Sequence, residues 1–138
     1  REDLAELVAA AGAPLWLCGV CSPKDAEVAA GAGVAALVVD SAPGRHLGAP
    51  SSVELFPELY DAVAGMLNLY LGAPLRSGVD LFRCLAIGAE AVVTRSDRPV
   101  AKFQAELAYA MRLTGCATLA EISYEAVFVP LFGDLGPG

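Results

Sequence analysis

The chain has 138 residues, 56% of them hydrophobic, and a net charge of −7. That length allows one compact domain with a real core, and the nine basic residues form no stripe, which argues against a nucleic-acid partner. Mean hydropathy is +0.55, yet no apolar run is long enough for a membrane span and the N-terminus lacks a signal peptide's basic head and apolar segment, so a cytoplasmic protein is expected.

The first element is "PLWLCGV" (14–20), a short apolar run that ends at glycine and cysteine and reads as a strand. "SPKDAEVAAGAG" (22–33) follows as a helix. Ser22 suits its N-cap, Pro23 its first position and Asp25 its first turn, while Gly31 and Gly33 close it. "VAALVVD" (34–40) is apolar until its last residue, as a strand covered on both sides should be. A loop, "SAPGRHLGAP", leads to a helix over 52–65, in which Pro57 is expected to delay the regular start. "MLNLYLG" (66–72) is the third strand, and 77–89 the third helix, with Ser77 as its N-cap. "EAVVTR" (90–95) is the fourth strand. A long helix over 99–115 carries Phe103, Leu107, Ala110 and Met111 on one face.

The pattern is βαβαβαβα, which predicts a parallel sheet with right-handed crossovers. "GVAALVVDS" from Gly33 and "GAEAVVTRS" from Gly88 form a faint internal repeat that spans two βα units. Such a recurrence suits a barrel better than an open sheet. A complete (β/α)8 barrel takes roughly 250 residues, so the expected fold class is α/β, four βα units, half of a TIM (β/α)8 barrel. The expected organisation is one half-barrel domain over 1–138, with 126–138 as an apolar, glycine- and proline-containing tail or linker. Half a barrel leaves two open strand edges and a bare inner face. A protein partner or self-association is therefore expected to complete it.

Four stretches in order, "SPKDAEVAAGAGVAALVVD", "GRHLGAPSS", "LRSGVDLFRCLAIGAEAVV" and "MRLTGCATLAEI", give the chain a resemblance to a known family. From about Pro14 to Ile122 it resembles the C-terminal half of the FMN-dependent α-hydroxy-acid oxidases and dehydrogenases, such as glycolate oxidase, lactate oxidase and mandelate dehydrogenase. The resemblance implies a set of roles. Cys18 stands where the family has a lysine beside the flavin. Ala42 stands at the catalytic histidine, the base that takes the substrate hydroxyl proton. Arg45 matches the arginine that grips the substrate carboxylate. Gly72 replaces the aspartate that braces the ribityl hydroxyls, and Arg76 matches an arginine that reaches the phosphate. In the longer "TRSDRP", Arg95 or Arg98 matches the arginine of Gly-Arg-Pro.

Cation, base and ribityl acid are thus gone, while both arginines remain. An alanine accepts no proton, and loss of a general base costs about 10²–10⁴-fold in rate. No catalytic residue is expected. Arg45 is the candidate for substrate binding, and Arg76, Ser77, Gly78 and Arg95 are candidates for holding a phosphate at the head of a helix. Pro74, in place of a family glycine, removes one N–H donor there. His46, the lone histidine, is a weak candidate for a replacement base and reads better as a loop residue without a catalytic task. "CGVC" (18–21) has redox-motif spacing, but its second cysteine abuts the helix, so structural thiols are the expectation, as for Cys84 and Cys116. No metal site is indicated. Asp40 and Glu90 fall at opposite ends of different strands and make no acid pair.

Two functions follow. The favoured one is a non-catalytic, degenerate half-barrel that serves as a structural or interaction module, with no cofactor. The alternative is a fragment or subunit of an FMN-dependent 2-hydroxy-acid oxidase whose other half comes from a partner chain.

Overall fold

A computed structural model of the chain describes residues 2–42, 48, 50–63 and 65–127. It contains strands β1 (Trp16–Cys18), β2 (Ala36–Val39), β3 (Asn68–Gly72) and β4 (Ala91–Val93). The helices are α1 (Glu2–Ala10), α2 (Pro23–Gly31), α3 (Ser52–Val63), α4 (Gly78–Ala86), α5 (Val100–Thr114) and α6 (Tyr124–Val127), with a 3-10 turn at Leu119–Glu121. All strand pairs are parallel, and the spatial order β1-β2-β3-β4 is the chain order. A doubly wound sheet reverses its strand order part-way, whereas a barrel adds strands in sequence. The described chain is an α/β fold of four βα units, half of a (β/α)8 barrel.

Side chains alternate along each strand, and the register sorts them into two faces. Leu17, Leu37, Val39, Leu69, Leu71 and Val92 point to the helices and join the main core. Leu37, Val39 and Leu71 are fully buried, and Phe56 and Leu59 of α3 meet the same core. Each such side chain is worth about 1.5–3 kcal/mol of apolar burial. A second, smaller cluster joins Phe82 and Ala86 of α4 to Ala110 of α5, Cys116 and Ile122. Leu107 and Met111 lean on it, so the apolar stripe read along α5 is the face that packs.

Local chemistry sets the helix ends. Ser22 caps α2, its Oγ accepting the Asp25 N–H at 3.2 Å, with Pro23 as the first helical residue. Ser77 caps α4 in the same way through the Asp80 N–H, also at 3.2 Å. Gly115 ends α5 at φ +79°, a left-handed conformation that a Cβ disfavours.

Four expectations need correction. Pro57 does not delay α3, which begins at Ser52 with Pro57 inside it. The missing proline N–H would have met the Val53 carbonyl. Both residues lie on the exposed side, where water can serve that oxygen. A capping box starts this helix instead: the Ser51 N–H and Oγ both donate to Glu54 Oε2, at 2.8 and 2.6 Å. Second, α1 has no counterpart in the elements read from sequence. Its Leu4 and Val8, one helical turn apart, pack on the main core. Third, Ala126 and Val127 belong to α6, and Ala126 leans on the second cluster, so regular structure extends into the expected tail. Residues 128–138 of that tail lie outside the described residues. Fourth, Cys18 is exposed and is no buried structural thiol. Among the described residues no helix is long and apolar enough to cross a membrane.

Candidate functional site

In a parallel sheet the strand C-termini and their loops share one rim. Here that rim collects Cys18, Asp40, Ala42, Gly72 and the segment 73–80. Cys18 ends β1, paired with Val38, and is exposed. Cys21 is half-buried, and its thiol donates to the carbonyls of Gly19 and Asp40, both at 3.4 Å. Burial raises the Cys21 pKa, helped by the charges of Asp40 and Asp25. Burial pushes Cys84 up to about 11, with Asp80 adding to the effect. Neither thiol is poised as a nucleophile.

Ala42 is exposed, and its N–H donates to Asp40 Oδ1 at 2.9 Å. Asp40 also crowds Gly72. A Cβ on Gly72 would stand 3.0 Å from the Asp40 Cβ and 3.1 Å from the Val39 carbonyl oxygen. A side chain at 72 would therefore need Asp40 and the Val39 carbonyl to give way by a few tenths of an ångström. Glu90, at the opposite end of the sheet, accepts the Leu69 N–H at 3.3 Å. The structure thus keeps Asp40 and Glu90 apart, as their strand positions imply. Arg45 and His46 lie outside the described residues.

The segment from β3 to α4 is where a phosphate was expected. Five of its backbone donors are engaged internally. The Ala73 N–H goes to the Val93 carbonyl and the Leu75 N–H to Thr94 Oγ1, each at 3.1 Å. Pro74 has no N–H. The Arg76 N–H donates to Asp80 Oδ2 at 3.1 Å, and the Gly78 N–H to Glu106 Oε2 at 2.7 Å. The Asp80 N–H is held by Ser77 Oγ. Arg76 projects outward, its side chain 90% exposed, with only a 3.7 Å approach of Nε to Asp80. Arg95 is exposed. Arg98 instead folds inward: it donates to the Arg76 carbonyl, pairs with Glu106 Oε1 at 2.5 Å and lies 5.0 Å over the Phe103 ring.

A family profile described as FMN-dependent dehydrogenase matches residues 1–128. The chain belongs to the FMN-dependent dehydrogenase family. Its relatives include an L-lactate oxidase of Alicycliphilus denitrificans, 36% identical, with 91% of this chain and 39% of that protein aligned. A peroxisomal (S)-2-hydroxy-acid oxidase of Oryza sativa subsp. japonica is 33% identical, over 88% of this chain and 37% of that one. Among solved structures, a lactate oxidase of Pediococcus acidilactici superposes with a TM-score of 0.78 at 27% identity, covering 89% of this chain and 38% of its own. A mandelate oxidase gives 0.75 at 29% identity, over 86% and 41%. The chain spans about two fifths of the length of these relatives.

The family's cofactor can be tested against the residues present. A flavin phosphate needs free donors and positive charge. In the 73–80 segment the five N–H groups named above already have acceptors, and two carboxylates, Asp80 and Glu106, converge on it. The residues as arranged do not fit the phosphate of FMN.

Sequence reading reached Arg76, Ser77 and Gly78 but missed Glu106. Its signal was present: Glu106 falls on the same stripe as Phe103, Leu107 and Ala110, and a carboxylate in an apolar stripe needs a partner. Arg98 is one of two alternatives, with Arg95, for the family arginine, and nothing along the chain indicates that its side chain turns back to α5.

Proposed function

We propose that this chain is a non-catalytic half-barrel whose bare sheet face is closed by a complementary set of βα units of the same family. The carrying observation is the composition of that face. Register and alternation put Trp16, Cys18, Ala36, Val38, Asn68, Tyr70, Gly72, Ala91 and Val93 on it, with no carboxylate, histidine, lysine or arginine among them. Ala36 and Val38 in the middle of it are buried, but at its edge strands Trp16 is 56% and Val93 50% exposed, although a barrel interior is a packed core. Trp16 leans on Tyr70 with ring centroids 5.0 Å apart. Among the described residues, strands β1 and β4 each have one unpaired edge. The remaining three fifths of the relatives' length is the natural source of the occupant, either upstream on the same polypeptide or on a separate chain. The four free thiols suit a reducing, cytoplasmic setting.

A second reading, a fragment of a working 2-hydroxy-acid oxidase, draws support from the names of the relatives at 36% and 33% identity. One experiment separates the two. The chain is co-expressed with the reading frame or segment that encodes the first half of the barrel. The complex is then purified and titrated with FMN. The proposal expects a stable complex that stays colourless. A yellow complex that bleaches anaerobically with L-lactate would establish the second reading, and failure to associate would remove the first.

A further inference from the structure

The head of α4 has the makings of an anion site, and the chain fills it with its own anion. Gly78 opens the helix, and its N–H points to Glu106 Oε2 at 2.7 Å. Helix α5 crosses at this point. A Cβ on Gly78 would lie 2.6 Å from the Glu106 Cβ, 2.5 Å from the Leu107 nitrogen and nearer still to the Phe103 carbonyl oxygen. The glycine is thus what lets α5 approach closely enough to deliver the carboxylate. The other oxygen of Glu106 takes Arg98, which also holds the Arg76 carbonyl. One carboxylate therefore joins the start of α4, the loop after β4 and the body of α5. An anion at a helix N-terminus is favoured by the free N–H groups and the helix dipole.

We infer that the Glu106 carboxylate, clamped by Arg98, permanently occupies the anion position at the head of α4 and excludes phosphate from it. The consequence differs from simple loss of a ligand. A lost phosphate site leaves unfilled donors, whereas here a tethered carboxylate replaces the ligand. The tether removes the entropic cost of binding, so a free phosphate competes poorly with it. Asp80, which accepts the Arg76 N–H, adds a second negative charge against an incoming dianion. This holds with or without a complementary half-barrel.

The test uses inorganic phosphate and the amide signal of Gly78 in a nitrogen-15 correlation spectrum. In the wild-type chain, phosphate at millimolar concentration should leave Gly78 unmoved. Glu106→Gln keeps the shape and removes the charge. It should give a saturable Gly78 shift, with phosphate affinity raised about tenfold, the scale of one helix-terminus charge contact. Adding Arg98→Ala to that variant should abolish the gain. A phosphate-dependent Gly78 shift in the wild type would overturn the inference, as would an unchanged phosphate response in Glu106→Gln. Should that variant fail to fold, acid titration of the wild type supplies the answer. Glu106, facing Arg98 and Lys102 and hydrogen-bonded to the Gly78 N–H of α4, must move the Gly78 amide as it protonates. A Gly78 amide that ignores the titration would contradict the contact.

Discussion

The two faces of one sheet have opposite fates. On the helix side, Leu37, Val39 and Leu71 are fully buried beneath α2 and α3. On the other side Ala36 and Val38 of β2 are buried as well, but at the two edge strands Trp16 of β1 and Val93 of β4 stand half exposed. Alternation places both sets, and neighbouring elements decide which is covered. The helix side is completed within the chain and supplies its stability. The inner side is mostly apolar, buried along the middle of the sheet and open at its edge strands, where it gains little until something covers it. A fold can therefore be self-sufficient on one face and depend on a partner on the other.

Core truncation breaks this contrast most severely. Phe56→Ala should cost about 3–5 kcal/mol, read from urea unfolding. On the inner face, Trp16→Ala should remove little more than its aromatic pairing with Tyr70, about 0.5–1.5 kcal/mol. Equal losses would mean that the inner face is already closed. Next in size is Gly78→Ala. The new methyl meets backbone of α5, which cannot rotate away, and overpacking of this kind costs about 1–3 kcal/mol. A lowered melting temperature checks it, and an unchanged one would show that α5 does not sit on Gly78. Ser51→Ala removes the capping box of α3 and should cost about 1 kcal/mol in the same assay.

The smallest effect is on pH dependence. Glu106 is held below the ordinary carboxylate range, first by the Gly78 N–H and then by Arg98. Glu54 is lowered by its hydrogen bonds from Ser51. A lowered folded-state pKa stabilises the protein at pH values above the unfolded carboxylate value, about 4.3, and that stabilisation is lost as pH falls through the folded value. Melting temperature should therefore drop with acidification below about pH 4.3, and the drop should be shallower in Glu106→Gln.

Much of this was legible along the chain. The four βα units, the caps at Ser22 and Ser77 and the packing stripe of α5 follow from local patterns, because hydrophobic period and capping chemistry act over a few residues. The losses at Ala42, Cys18 and Gly72 were legible through the resemblance alone. Helix α1 leaves a weak signal because its stripe is short: among the described residues Leu4 and Val8 are its members on the core. The Glu106 contact was invisible for another reason. It joins residues 28 apart through the crossing of two helices, and no local pattern encodes such a crossing. Asp40 beside Gly72 is similar: neighbouring strands bring together two positions that look unrelated in sequence.

Trp16, the sole tryptophan, lies on the inner face and reports on it directly. The decisive measurement is its emission as the complementary half-barrel and then FMN are added. A bare face that closes without flavin predicts a blue shift when the half-barrel is added and no further change with FMN. Emission that stays red with the half-barrel present, or is quenched by stoichiometric FMN, would contradict the account.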